Sequence, residues 1–351
     1  MAKLTTIKVF VILLLAVLGF GSILILVPRE YNAPHNRESR GMQYWNLNTG
    51  SKIAYTFLKA KGTPRQCPVV FLQGGPGGPI FESNIRLLGG LTEDGYNVYL
   101  YDQIGCGLSD RLNHIEEYTV DRHIRDLEEI IKTIGTEKVI LIGQSWGAIL
   151  AALYIADHPE KVERAIFTGP GPLLPQNREV EAIEPPDSLN LKDPLFTNKM
   201  GRKKAYNIRA RVVELIAIKL DRKLASDKEM DDFASILNYQ MNKSTVCDTS
   251  RQGNPEPGYG YYCMVKTVQS FASVNDRRAT LRGCDVPLLI LRGQCDGIKW
   301  GYIAEYQDIF KNCTIRVIQG AGHSVARENP EAYLSSIRAF LQQQHADLMD
   351  L

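Results

Sequence analysis

Val139-Ile140-Leu141-Ile142-Gly143-Gln144-Ser145-Trp146-Gly147-Ala148-Ile149-Leu150 passes from four branched apolar residues, through a glycine-flanked serine, into a second apolar run. The first four residues have the composition of a strand buried on both faces, and residues 148–156 continue with helical periodicity. Between them Gly143-Gln144-Ser145-Trp146-Gly147 fits G-x-S-x-G. In that pattern a serine sits on a tight strand-to-helix turn, and the flanking glycines let backbone segments approach without a Cβ clash. The positive end of the new helix lies near Ser145 and helps stabilise negative charge there. Five residues alone arise often by chance; a strand before and a helix after give the pattern its meaning.

Working outward, strand-like runs occur at residues 43–47, 53–58, 68–72, 98–101, 162–167, 286–291 and 314–318, and helical periodicity is clear at 120–134 and 331–344. Continuous apolar strands alternating with amphipathic helices predict a mostly parallel sheet flanked by helices. The alternation breaks between residues 171 and 279, a long, charged, helix-rich stretch. It reads as a helical cap inserted over the C-terminal edge of the sheet, where open α/β sheets bind ligands. The expected organisation is a core of residues 41–170 and 280–345 with the cap at 171–279. The cap's basic run, Lys199, Arg202, Lys203, Lys204, Arg209 and Arg211, reads as a solvated helix face, with contact to anionic lipid headgroups as the alternative for a tethered domain.

A serine hydroxyl is a poor nucleophile until a base takes its proton. Asp296, in Gly293-Gln294-Cys295-Asp296-Gly297, and His323, in Gly320-Ala321-Gly322-His323-Ser324, each follow a predicted strand, so both fall on the same sheet edge as Ser145. His323 is the expected base and Asp296 its orienting partner, holding the tautomer and stabilising the imidazolium without taking a proton. Gln73-Gly74-Gly75-Pro76-Gly77-Gly78 follows the strand at 68–72. An oxyanion would accept from the N–H of Gly75, or of Gly74, and from that of Trp146, the residue after the nucleophile. The remaining histidines, His35, His114, His123, His158 and His345, read as structural or solvated.

The loop 73–78, the segment Asp102-Gln103-Ile104-Gly105-Cys106-Gly107-Leu108-Ser109 and the motif around Ser145 together resemble the prolyl aminopeptidase (proline iminopeptidase) family of α/β-hydrolases, over about residues 41–341. The resemblance implies an α/β-hydrolase fold, a Ser-Asp-His triad, and release of N-terminal residues, typically proline, from peptides. The family pattern carries His where this chain has Gln73 and Arg where it has Ile104. Family members hold the substrate's free α-amine with acidic residues of the cap. The segment Tyr261-Tyr262-Cys263-Met264-Val265-Lys266, where one is sought, is not acidic. The cap's acids include Glu179, Glu181, Glu184, Glu214, Asp231, Asp232 and Asp248. Glu214 is the first candidate for a substrate-binding carboxylate, beside Gln73 and Gly74, because Val212, Val213, Leu215 and Ile216 suggest a partly buried helix. The alternative within enzymes is an esterase or carbon–carbon bond hydrolase acting on a small apolar substrate. Epoxide hydrolases and dehalogenases of this fold use Asp where this chain has Ser145. A catalytically silent binding protein is the reading from a different class, opposed by the intact triad.

The chain has 351 residues and a net charge of only +2, which gives no basic footprint for nucleic acid. Lys3 and Lys8 precede an apolar run at residues 9–27, and nineteen helical residues span about 28 Å, close to a bilayer's hydrocarbon core. Residues 1–28 are therefore expected to form a single-pass anchor, with a polar linker at 29–40 and the catalytic domain on the non-cytoplasmic side. A cleaved signal peptide is the competitor, but residues 23–27 offer no small-residue cleavage site. Of seven cysteines, Cys284 with Cys313 and Cys247 with Cys263 are the candidate disulfides. No CxxC or HExxH spacing occurs, so no metal is expected, and no organic cofactor is implied.

Overall fold

The strand run that opens the motif, Val139–Gln144, is central in the sheet and apolar on both faces. Val139 and Leu141 join one hydrophobic core and Ile140 and Ile142 the other. Truncating any one of these to Ala costs about 2–5 kcal/mol, which is why the run admits no polar residue before Gly143. The computed structural model describes residues 25–34 and 42–349. Its eight strands are β1 (Met42–Asn46), β2 (Lys52–Leu58), β3 (Val69–Leu72), β4 (Val98–Tyr101), β5 (Val139–Gln144), β6 (Val162–Thr168), β7 (Leu288–Gly293) and β8 (Cys313–Ile318). They lie in the order β1-β2-β4-β3-β5-β6-β7-β8. β2 pairs antiparallel with β1 and β4, and every pair from β4 through β8 is parallel.

Helices cover both faces. Helix Val120–Ile134 begins where Thr119 accepts the N–H of Arg122 and ends at left-handed Gly135. Helix Trp146–Asp157 is buried along its length, and helices Glu82–Leu88 and Pro330–Met349 cover the opposite face. The stretch between β6 and β7 carries helices Asn198–Ala205, Ile208–Leu220, Asp227–Met241, Tyr261–Ser270 and Arg278–Arg282, without a strand among its described residues. Arg111 fastens this cap to the core. Its guanidinium meets Asp231 at 2.9 Å and donates to the carbonyls of Gly107 and Ser109. Asp231 also accepts the N–H of Tyr261 at 3.0 Å. Burial raises the Asp231 carboxyl to about 6 against the opposing pull of Arg111.

Three expectations change. The structure pairs Cys247 with Cys295, Cα atoms 5.3 Å apart, not Cys247 with Cys263 or Cys284 with Cys313. Cys263 turns instead toward His123 and Thr267, and the Cys284 thiol accepts the N–H of Val286. The 48-residue separation of the observed pair makes its chain-entropy contribution on the order of 4 kcal/mol. Arg209 is not part of a solvated face. It is buried, and donates to both carboxylate oxygens of Glu229 and to the carbonyl of Ile25. The described part of the expected linker is seated on the cap: the Arg29 N–H donates to Glu229 at 3.1 Å, Tyr31 packs on Phe233, and Ala33 is buried. No helix of the described residues is long and apolar enough to cross a membrane. The run at residues 9–27 lies outside the described residues up to residue 24.

Candidate active site

Ser145 sits between the end of β5 and helix Trp146–Asp157 with φ 52° and ψ −113°. A non-glycine residue in that region stores strain of about 1–3 kcal/mol, held by surrounding structure. Part of the hold is visible: the Ser145 N–H donates to Thr168 at the end of β6, 2.9 Å away. The glycines of the motif are required by close packing. A Cβ on Gly147 would lie 2.0 Å from the carbonyl oxygen of Leu72, and one on Gly143 2.6 Å from the N–H nitrogen of Ala148. The turn is thus pressed against β3, the strand that delivers the glycine loop.

The loops after β7 and β8 bring Asp296 and His323 together. The His323 Nδ1 lies 3.1 Å from both Asp296 carboxylate oxygens, and Asp296 Oδ1 also accepts the N–H of Ile298 at 2.9 Å. Burial pulls the imidazole pKa down, but the charge and hydrogen bond of Asp296 together outweigh it and hold His323 above its ordinary value. Burial likewise pushes Asp296 up, and His323, Arg292 and the Ile298 N–H together leave it below the usual carboxylate range. Gly169, the residue after β6, makes room for the pair. It lies at φ +50°, and a Cβ there would stand 2.7 Å from His323 Nδ1 and 2.8 Å from Asp296 Oδ2. Gly169→Ala is expected to displace the pair and lower kcat by about 10²-fold, with a stability loss of about 1–3 kcal/mol from the positive φ and the added crowding. Steady-state kinetics beside thermal unfolding checks this; wild-type turnover would show that the pair does not need that space.

Ser145 and His323 line one cavity of about 250 Å³, with Gln73, Gly74, Gly75, Gln144, Asn238, Asn242, Tyr259 and Arg327 among its walls. Gln73 is turned into its own loop. Its Nε2 donates to Pro79 and Asn84 and its Oε1 accepts the N–H of Gly74 at 2.9 Å. That bond uses the Gly74 donor and leaves the Gly75 N–H without an acceptor among the described residues. Trp146 opens its helix, so its N–H has no intrahelical partner either. Gln103 braces the two donors: it donates to the Gln73 carbonyl at 3.0 Å and accepts from the Trp146 indole at 2.9 Å. Asp102, beneath the same loop, accepts the N–H groups of Ile80 and Leu108, while burial raises its carboxyl to about 6.

Glu214 does not reach this cavity. Its carboxylate pairs with Arg202 at 3.3 Å on the outside of the cap. Nor do the other acids of the sequence line it: Asp231 is bound to Arg111, Asp232 to Lys228, Glu181 to Lys299, and Asp248 to Ser250. Glu179 and Glu184 are absent from the cavity wall as well. The wall has no Asp or Glu among its described residues. Sequence reasoning also missed Glu328. It is buried, and its carboxylate accepts the N–H of Gly322 at 2.6 Å and those of Cys247 and Asp248 at 3.0 and 3.1 Å. Together with the Cys247–Cys295 bridge and the Ser324 bond to Thr245, it ties cap residues 245–248 to the loops bearing His323 and Asp296.

The profile of the family described as alpha/beta hydrolase fold matches residues 68–330, three-quarters of the chain. The chain belongs to that family. Among curated members, it is 40% identical over 106 residues to a proline iminopeptidase of Saccharolobus solfataricus, covering 30% of this chain and 33% of the relative. It is 35% identical over 134 residues to that of Heyndrickxia coagulans, covering 37% and 45%. The alignments thus span between a third and just under half of the length of these relatives. Among solved structures, a thermophilic esterase from Thermogutta terrifontis superposes with a TM-score of 0.59 at 18% identity, covering 86% of this chain and 98% of the other. A bromoperoxidase from Bacillus anthracis gives 0.58 at 20%, covering 87% and 100%. At such identities these likenesses show the alpha/beta hydrolase fold and nothing finer.

Proposed function

We propose that this protein is a serine hydrolase of the prolyl aminopeptidase type, which cleaves an acyl bond through an acyl-enzyme and releases N-terminal residues from peptides. The observation that carries the reading is the strained Ser145 opening on the same cavity as a His323 already paired with Asp296. Ser145 Oγ attacks the scissile carbonyl carbon while His323 takes its proton. The N–H groups of Gly75 and Trp146 hold the resulting oxyanion. Collapse expels the amine, which leaves with the proton from His323, and water repeats the sequence to free the acyl group. The relatives named proline iminopeptidase supply the substrate class.

A second reading, an ester hydrolase, is favoured by the cavity wall. A cation brought into a closed site needs a carboxylate or pays a desolvation penalty. The described wall meets it only with uncharged acceptors, the amide oxygens and hydroxyls of its Asn, Gln, Ser, Thr and Tyr residues, alongside His323 and Arg327. The two readings separate on one comparison. Blocking the α-amine of an aminoacyl amide should lower kcat/KM about tenfold or more if the amine is recognised, even by neutral acceptors. Equal rates on free and acetylated substrates would replace the peptidase by the esterase.

The same proposal includes a single-pass anchor at residues 9–27 with the catalytic domain on the non-cytoplasmic side. The Cys247–Cys295 bridge suits an oxidising compartment. The full chain is expected to stay in the membrane fraction through a carbonate wash and to yield its domain to protease only from the non-cytoplasmic side. A mature N-terminus near Pro28 would instead mark a cleaved signal.

A further inference from the structure

Between Asn198 and Arg222 lie eight basic residues and two acidic ones, Glu214 and Asp221, in a chain whose total is only +2. Seven of the basic residues and Glu214 fall on helices Asn198–Ala205 and Ile208–Leu220, and of the seven only Arg209 is buried, against Glu229. A solvated helix ordinarily turns polar groups outward. Here Ile208, Leu215 and Leu220 are 58%, 57% and 63% exposed, and Met200 on the neighbouring helix is 53% exposed. Arg211 and Lys219 are exposed on the turns between them, while Ala210, Val213 and Ala217 face the core. One stripe thus alternates long apolar and basic side chains. The two acids leave most of the stripe positive: Glu214 offsets only Arg202, and Asp221 is bound to Lys266 outside it. Apolar side chains flanked by cations suit the boundary of a lipid bilayer, the former reaching the acyl region and the latter the headgroups.

A separate observation says which way this face points. The carbonyl of Ile25 accepts from Arg209, at the start of helix Ile208–Leu220, and the Tyr31 hydroxyl accepts from Asn207 at 2.9 Å. Leu26 and Val27 are 62% and 56% exposed at the same place. Residues 25–27, the described end of the apolar run, therefore meet the body of the protein beside the basic, apolar stripe.

We propose that the face made by helices Asn198–Ala205 and Ile208–Leu220 docks on an anionic phospholipid surface; its nearness to the bilayer, and not which leaflet it meets, rests on the anchor reading above. Asn198, the first residue of that face, also lines the cavity, so docking brings one cavity wall beside the headgroups. The test uses the full-length protein in nanodiscs of phosphatidylcholine alone and of phosphatidylcholine with about 30% phosphatidylserine. Amine-reactive footprinting reads Lys199, Lys203, Lys204 and Lys219 against Lys61 and Lys311, exposed elsewhere on the surface. Labelling of the four cap lysines should fall about fivefold or more in the anionic discs, with the two controls unchanged. The protection should vanish near about 1 M salt, where the screening length is about 3 Å. It should also weaken in Ile208→Ser/Leu215→Ser. Equal labelling in both discs would overturn the docking. So would protection in detergent that grows with protein concentration, which would assign the face to a second copy of the chain. Carbonate extraction tests the anchor on a different readout, so failure of one is distinguishable from failure of the other.

Discussion

Ser145→Ala should show no turnover above background, and His323→Ala should lower kcat by about 10⁴-fold or more, with both proteins folded as the wild type is. The size of the effect follows from what each group does. Without Oγ no acyl-enzyme forms. Without the imidazole, a hydroxyl far from its own pKa must lose a proton unaided. What survives should be the modest acceleration given by the Gly75 and Trp146 N–H groups and by binding alone. The double variant should be little worse than either single one, because the two groups act as a unit. A fluorophosphonate probe should label the wild-type protein at Ser145 and leave Ser145→Ala untouched. Near-normal turnover by either purified variant, or labelling elsewhere, would remove Ser145 and His323 from these roles. An unlabelled wild type would favour the silent binding protein.

The sheet was legible because its strands are short, apolar and buried on both faces, so each reads as a continuous run bounded by turn residues. Helix Val120–Ile134 was legible for a related reason: its polar cap at Thr119 and glycine stop bracket a clean period. Ser145, Asp296 and His323 could be placed because each directly follows a strand, and parallel strands put their C-terminal ends on one edge. The groups that support them were not legible. Glu328 reaches Gly322 and Cys247 from a four-residue helix, and Gly169 matters only because two other loops cross in front of it. Neither fact leaves a periodic signal. A disulfide partner is likewise set by how the cap folds back, and Cys295 beside Asp296 had no local cue. Glu214 misled for a definite reason. Its apolar neighbours suggested burial, but Leu215 is 57% exposed, and the core face of that helix runs through Ala210, Val213 and Ala217. Apolar residues on an outward stripe imitate a buried helix in sequence.

Asp296→Asn should keep the fold and lower kcat by about 10⁴-fold, with a change in pH dependence that a merely structural defect would not give. In the native protein the carboxylate accepts from His323 Nδ1, which fixes the tautomer whose Nε2 is free to act as base. An amide at that position can present its NH₂ to the ring and favour the wrong tautomer. The sign of the pH effect follows from the balance on His323. Burial alone pulls its pKa down, and the charge and hydrogen bond of Asp296 more than restore it. Because the base must be neutral, kcat/KM of the wild type should rise with pH along a limb set above the ordinary imidazole value. Removing the negative charge leaves burial and the nearby Arg292 to act together, so the limb of the variant should move to lower pH while its plateau drops. Profiles of kcat/KM for both proteins, from about pH 4 to 9, bracket the ordinary imidazole range. A limb that stays in place, or moves to higher pH, would mean that Asp296 does not govern the charge on His323.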